Sequence, residues 1–200
     1  MLQLRRQSPI RFDASPRQTV ARDNWQVVLD YADEGAGPWI TDLTHKTRWD
    51  YQSGRLSERI AGDFSVPARP GRCTLADGVL VNRMNRTQAS VYHLGTATAS
   101  HSLPADANFT DVSEASVLLG IFGPNAFFVF EKLSNLDFAA PNKDAPFLLQ
   151  GPFCRVPCQI VVLAHSDDRG LAQYNAAVFD VDQRIGRTKI DTNIQREKTE

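Results

Sequence analysis

Four small groups of side chains in this sequence have the types and spacing that chemistry would need. His45, in Asp42-Leu43-Thr44-His45, could orient a substrate carboxylate. A polar residue where a strand runs into a turn also commonly bonds neighbouring backbone, so a local role competes with that one. Cys154 and Cys158, in Cys154-Arg155-Val156-Pro157-Cys158, could pair, or hold a metal with a histidine such as His165. The spacing fits no common zinc signature and no fourth ligand is evident, which favours buried free thiols that behave as small hydrophobes. Asn82, Arg83, Asn85 and Arg86 make a polar, basic patch at an expected hairpin end, where a partner's carboxylate could dock; a solvated loop is the competing reading. Trp25, Trp39, Trp49 and Tyr51 supply large apolar area, most of it core. A tryptophan left at the surface would mark a subunit interface.

The elements that must position these groups read mainly as strands. Residues 1 to 23 carry only isolated apolar points and are expected as an arm over the surface. Trp25 to Tyr31 is β-branched and aromatic, and the turn-rich 33–38 closes it. Trp39 to Thr44 and Thr47 to Tyr51 restart extended structure and suggest adjacent strands. After the Pro- and Gly-rich connector 62–72, Gly78 to Met84 and Ala89 to Leu94 form an expected hairpin around Asn85-Arg86-Thr87-Gln88. Residues 95–107 are nearly free of apolar bulk and mark an expected boundary between two small lobes. Ala115 to Phe122 reads as a buried strand, and Pro124 opens a helix with Ala126, Val129, Phe130 and Leu133 on one face. Residues 141–152 read as an irregular connection before a core strand at 159–164; Ala176 to Phe179 adds a further candidate. The domain is expected over 24–180, followed by a fraying polar tail at 181–200. Strands interleaved with few helices predict an α+β chain, since the rhythm of a doubly wound sheet is missing.

Composition narrows the function classes. The chain of 200 residues has 22 Lys+Arg against 23 Asp+Glu, a formal net charge of -1, so no strong field recruits nucleic acid or an anionic membrane. No apolar run follows Arg5-Arg6, and no stretch reaches the length of a membrane span. Three cysteines, an odd number, argue for a reducing compartment, and the expectation is a cytoplasmic protein.

Three segments, in order, resemble the aminomethyltransferase-like group, the folate domain of glycine cleavage T-proteins and the sarcosine oxidase gamma subunit. The first is Gly37-Pro38-Trp39-Ile40-Thr41-Asp42-Leu43-Thr44-His45-Lys46. The second is Pro70-Gly71-Arg72 followed by Leu75-Ala76-Asp77-Gly78-Val79-Leu80-Val81-Asn82-Arg83. The third runs from Thr110-Asp111-Val112-Ser113 through Leu118-Leu119-Gly120-Ile121-Phe122-Gly123-Pro124-Asn125-Ala126 to Phe130-Glu131-Lys132-Leu133. The resemblance covers roughly residues 37 to 165. It implies a T-protein-like folate-binding-domain scaffold with mixed or antiparallel sheets, and offers His45, Asn82, Arg83 and Arg86 as candidates for contact with a pterin or a polyglutamate tail.

The departures from the family matter for activity. Val81 and Asn82 stand where the family has an acidic residue, and neither can serve as a general base. The chain also ends where a T-protein continues into a further domain. No catalytic residue is therefore assigned. The resemblance implies a non-catalytic subunit of an oxidoreductase in one-carbon and N-methyl amine metabolism, with flavin and nicotinamide on other chains and tetrahydrofolate as the one cofactor this chain could touch. A second reading makes it the partner of a lipoyl carrier protein in a heterodisulfide reductase-like sulfur-oxidising complex; a third makes it a folate-dependent aminomethyltransferase.

Overall fold

The computed structural model describes residues 5–32, 34–60, 63–95, 101–138, 144–163 and the short strand 187–189. Its first hairpin joins β1 (Pro16–Arg22) to β2 (Trp25–Tyr31) through Asp23-Asn24. Both turn residues are left-handed, at φ 45° and 66°. That geometry matches the twist of the flanking strands, and Asp and Asn tolerate it through local hydrogen bonds. Part of the expected surface arm is therefore strand, although most of β1 is exposed. Arg6 docks beside it, its amide donating to the Asn24 carbonyl at 2.7 Å.

β3 (Trp39–Asp42) and β4 (Arg48–Gln52), expected as neighbours, enter different sheets. Between them Asp42 Oδ1 accepts from the Thr44 amide at 2.9 Å, and the Leu43 amide donates to the Leu118 carbonyl at 2.9 Å. That link carries the chain across from one sheet to the other instead of folding it back. β4 then joins β7 (Cys73–Ala76), β8 (Val79–Arg83), β9 (Gln88–His93) and β10 (Phe109–Asp111) in an antiparallel sheet of order β10-β4-β9-β8-β7. The expected β8–β9 hairpin is present, with Asn85 Oδ1 accepting from the Thr87 amide at its tip. The segment 95–107 links two strands of this one sheet, β9 and β10.

Alternation along the strands buries both faces of the five-stranded sheet. Trp49, Tyr51, Val81, Ala89, Val91 and Phe109 line one face, under Leu56, Ile60, Val66 and the two-stranded β5 (Arg59–Ile60) and β6 (Phe64–Ser65). Leu80, Met84, Leu94 and Cys73 line the other, against Leu148, Leu118 and Val161. Burial of this kind stabilises by roughly 25 cal/mol per Å² of apolar surface removed from water.

β11 (Leu119–Phe122) pairs with β3, and β14 (Arg187–Lys189) pairs with the other side of β3. Among the described residues the apolar run at 115–122 therefore ends its sheet and is not the buried strand expected: Val117 and Leu119 are 38% and 39% exposed. A continuous apolar run does not by itself say how many neighbours a strand will have. The helix α1 (Ala126–Leu133) follows, burying Ala126 and Val129 as its spacing predicts. Gly123 makes the connection at φ +93°, and a Cβ there would lie 2.6 Å from the Trp39 ring. Gly123→Ala is thus expected to lose about 2 kcal/mol or more to backbone strain and the ring clash. Urea denaturation checks this; an unchanged midpoint would mean the ring moves aside freely.

β12 (Phe147–Phe153) and β13 (Val156–Val162) form a second hairpin, where 141–152 was expected to be irregular. Pro146, Gly151 and Pro152 read as breakers, but both strands of a two-stranded ribbon are edges, where proline is tolerated. Phe138, Phe147, Ile160 and Val162 bury the face that meets α1.

The expected α+β, T-protein-like scaffold is therefore corrected to a β-rich fold: small antiparallel sheets and, among the described residues, a single eight-residue helix. Only 126–133 combined a helix-opening proline with apolar recurrence at helical spacing; the rest of the periodicity is that of strands. The candidate strand Ala176 to Phe179 lies outside the described residues. No helix among those described is long and apolar enough to cross a membrane.

Candidate functional site

The crossover from β3 to β4, Asp42 to Arg48, gathers the densest set of buried polar side chains. Thr44, Lys46 and Arg48 are each at least nine-tenths buried. Arg48 is spent on structure. Its guanidinium donates to the Ser116 carbonyl at 2.6 Å, the Ser116 hydroxyl at 2.9 Å, the Thr44 carbonyl at 3.5 Å and the Ser113 carbonyl. It thereby holds the 113–116 loop against the sheet.

Lys46 is placed differently. Its ammonium donates to the Gly95 carbonyl at 2.7 Å, and among the described residues no carboxylate pairs with it. Burial pushes its pKa down to about 8, helped by Arg22 and opposed by Asp23. Next to it His45 is pushed down to about 3 by burial, then by the charges of Lys46 and Arg22, and its Nε2 has no hydrogen-bond partner.

β9 brings a second histidine to the same region. His93 follows Ala89 and Val91 on the apolar face of the sheet, 5% exposed, with Trp49 edge-on at 4.3 Å. Neither ring nitrogen has a partner. His101 stacks on it with ring centroids 3.8 Å apart and planes at 21°. Burial and then His101 lower the His93 pKa to about 4; His101 is lowered by burial and by Lys46. The β3–β4 and β9–β10 connections therefore both bring nitrogen bases to this region, Lys46 buried, His45 half-buried and His101 exposed, and each positive charge raises the cost of the next.

Of the residues singled out by sequence, only His45 belongs to this cluster. Asn82 is fully buried in the sheet, its Nδ2 donating to Ser90 Oγ at 3.0 Å, and Val81 is core. Arg83 donates to the Pro67 carbonyl at 2.9 Å and the Leu56 carbonyl at 3.4 Å, tying down the connector over the sheet. Arg86 is exposed at the hairpin tip. These three do not converge on a common space. Cys154 is exposed in the tight turn of β12–β13 at φ 49°, and Cys158, opposite Gly151, packs against the apolar cluster of that hairpin; both are free thiols. His165 lies outside the described residues, among which no group of three or more metal-binding side chains occurs. Trp25 and Trp49 are buried, whereas Trp39 is half-buried and donates its Nε1 to the Gly35 carbonyl at 2.7 Å.

Lys46 and His93 escaped the sequence reading. A histidine continuing the alternation Ala89, Val91, His93 was a usable signal, because it predicts an imidazole on the apolar face. The partner Lys46 had none, since nothing local says that an ammonium after a turn is buried. The chain matches no protein-family model, no curated protein and no solved structure.

Proposed function

We propose that this chain is a docking subunit of a larger oxidoreductase assembly and carries no chemistry of its own. The observation that supports docking is the edge of β11. Val117 and Leu119 are exposed there, and in the order β11-β3-β14 the strand stands at the end of its sheet among the described residues. Natural sheet edges are usually covered, charged or broken, so a terminal strand carrying exposed apolar side chains suits a partner chain. The burial of Val81 and Asn82 is consistent with this reading: a catalytic carboxylate at either place would face packed side chains, not a substrate.

The kind of assembly comes from the three sequence segments around Asp42, Gly78 and Gly123, which support a sarcosine oxidase gamma-type role beside flavin-bearing chains that pass a one-carbon unit to tetrahydrofolate. The proposal places the protein in the cytoplasm, in keeping with its three free cysteines.

Purification of the native protein from its source under mild conditions tests this. A stable complex containing amine-oxidising flavoprotein chains is expected, and Leu119→Lys is expected to dissociate it. Elution as a lone chain overturns the proposal. Co-elution with a lipoyl carrier would move the assignment to the sulfur-oxidising type of complex, and a saturable change of tryptophan fluorescence with tetrahydrofolate would give the chain a folate site of its own.

A further inference from the structure

The first hairpin leaves one strand uncovered. Arg22 and Trp25 flank its two-residue turn and so form the hydrogen-bonded pair nearest it, and bonded and non-bonded pairs alternate from there. Thr19, opposite Val28, and Ala21, opposite Gln26, fall at non-bonded pairs and turn their own N–H and C=O groups away from β2. The same alternation turns the Gln26 amide outward on the far side of the hairpin, where it donates to the Arg6 carbonyl at 2.9 Å. The outer side of β2 is thus covered in part by the chain itself. That of β1 is not: Thr19 and Ala21 are exposed, and among the described residues no backbone group bonds them from that side. Such a row of backbone donors and acceptors is a template for another extended chain.

The charge of the strand says which chain it suits. β1 holds Arg17 and Arg22 and no carboxylate, within a stretch, residues 5–22, whose only acid is Asp13. Arg17 is exposed and sits at a register shift between Pro16 and Gln18, which takes it out of the ladder with β2. Asp30 and Glu34 line the same shallow concavity, yet among the described residues no ion pair holds Arg17. A second copy would set this carboxylate-free strand against itself, and like charges across a strand pair are destabilising. A phosphate surface, of nucleic acid or membrane, answers the arginines but offers no alternating donors and acceptors at strand spacing.

We propose that the outer edge of β1 docks an extended acidic peptide segment of a partner, which adds as a strand along Thr19 and Ala21 and sets a carboxylate beside Arg17. Main-chain bonds supply affinity in this mode, and the guanidinium supplies the preference for acid. The surface is separate from β11, so the docking proposed there and this one stand or fall independently.

The test is fluorescence anisotropy of a short dye-labelled peptide alternating valine and glutamate, titrated with the intact protein at low salt. Saturable binding is expected, with none for the peptide that carries lysine in place of glutamate. A fully N-methylated counterpart keeps the charges and loses its strand bonds, and is expected to bind about tenfold more weakly or worse. Arg17→Glu is expected to weaken binding about fivefold or more, the scale of an exposed ion pair. Arg86→Glu makes the same change of charge at the exposed β8–β9 tip and is expected to leave binding as it was. Hydrogen exchange should show the Thr19 and Ala21 amides becoming protected in the complex. No saturable binding overturns the proposal, as does equal binding by the methylated peptide or by Arg17→Glu, or saturation that leaves those two amides unprotected. Binding of a single-stranded oligonucleotide or of phosphatidylserine vesicles in place of the peptide overturns it by assigning the arginines to phosphate. A dimer of the protein that Arg17→Glu dissociates overturns it in favour of a second copy.

Discussion

Arg48→Met is expected to lower the free energy of unfolding by about 3 kcal/mol or more, among the largest losses any single polar residue here should produce. The side chain is 2% exposed, and its fan of donors reaches two carbonyls and a hydroxyl of the 113–116 loop together with the Thr44 carbonyl. Methionine fills the stem's volume but donates nothing, so the carbonyls of Ser113 and Ser116 are left inside the protein without their partner. Each such group costs roughly 1–3 kcal/mol. Loss of the guanidinium's own burial cost returns a part of that, which keeps the expected figure near the lower end of the sum. Arg48→Lys should recover little, because a point ammonium cannot span acceptors that a planar fork reaches together. Chemical denaturation gives the stability, and hydrogen exchange should show early opening around 113–118, where the Leu118 amide donates to Thr44 Oγ1 at 3.2 Å. A variant with wild-type midpoint and wild-type protection would show that the loop holds itself.

Much of the strand content was legible because it depends on local pattern. Trp25 to Tyr31 is a strand in both readings, and the β8–β9 hairpin follows from alternation around a polar tip. The turn Asp77-Gly78, with φ 50° and 73°, carries an Asp-Gly hairpin signal that the sequence reading left unused, and β7 was missed with it. Sheet membership was not legible. Trp39 to Asp42 and Arg48 to Gln52 look like successive strands of one sheet, and which sheet each joins is decided by contacts with residues 109–122 far along the chain. The same non-locality hid the hairpin starting at Phe147, because proline and glycine forbid a central strand but allow a two-stranded ribbon. It also limited the site. His45 could be found from its place at a strand end, whereas Lys46 acquires its character only when Gly95, far along the chain, is folded against it. The Arg83 and Arg86 patch failed for the opposite reason: neighbours in sequence, they part where the strand stops, Arg83 ending β8 and bonding the connector while Arg86 lies beyond it in the exposed tip.

Acid is expected to destabilise this protein well above the pH at which its carboxylates protonate, through the desolvated imidazoles of His93 and His45. The folded pKa of His93 is about 4 against an ordinary 6.5, so at mildly acidic pH the unfolded chain binds a proton that the native state refuses. Stability therefore rises with pH through this window. The contribution is fully present above about pH 7, declines as pH falls through 6.5, and is exhausted near 4. At about 1.4 kcal/mol for each pKa unit, His93 alone accounts for roughly 3 kcal/mol, and His45, pushed down to about 3, acts in the same direction. The cause is geometric: the His93 ring sits among Trp49, Phe64 and the stacked His101, and among the described residues no carboxylate lies against it. His93→Phe keeps a flat ring among those aromatic neighbours and removes the titration. The variant should match the wild type within about 1 kcal/mol at pH 8 and exceed it by about 2 kcal/mol at pH 5, reversing the usual cost of a core substitution. Urea midpoints of the two proteins across that range decide the matter. Parallel curves would mean that the unfolded state does not gain the proton, or that the native ring accepts one without difficulty.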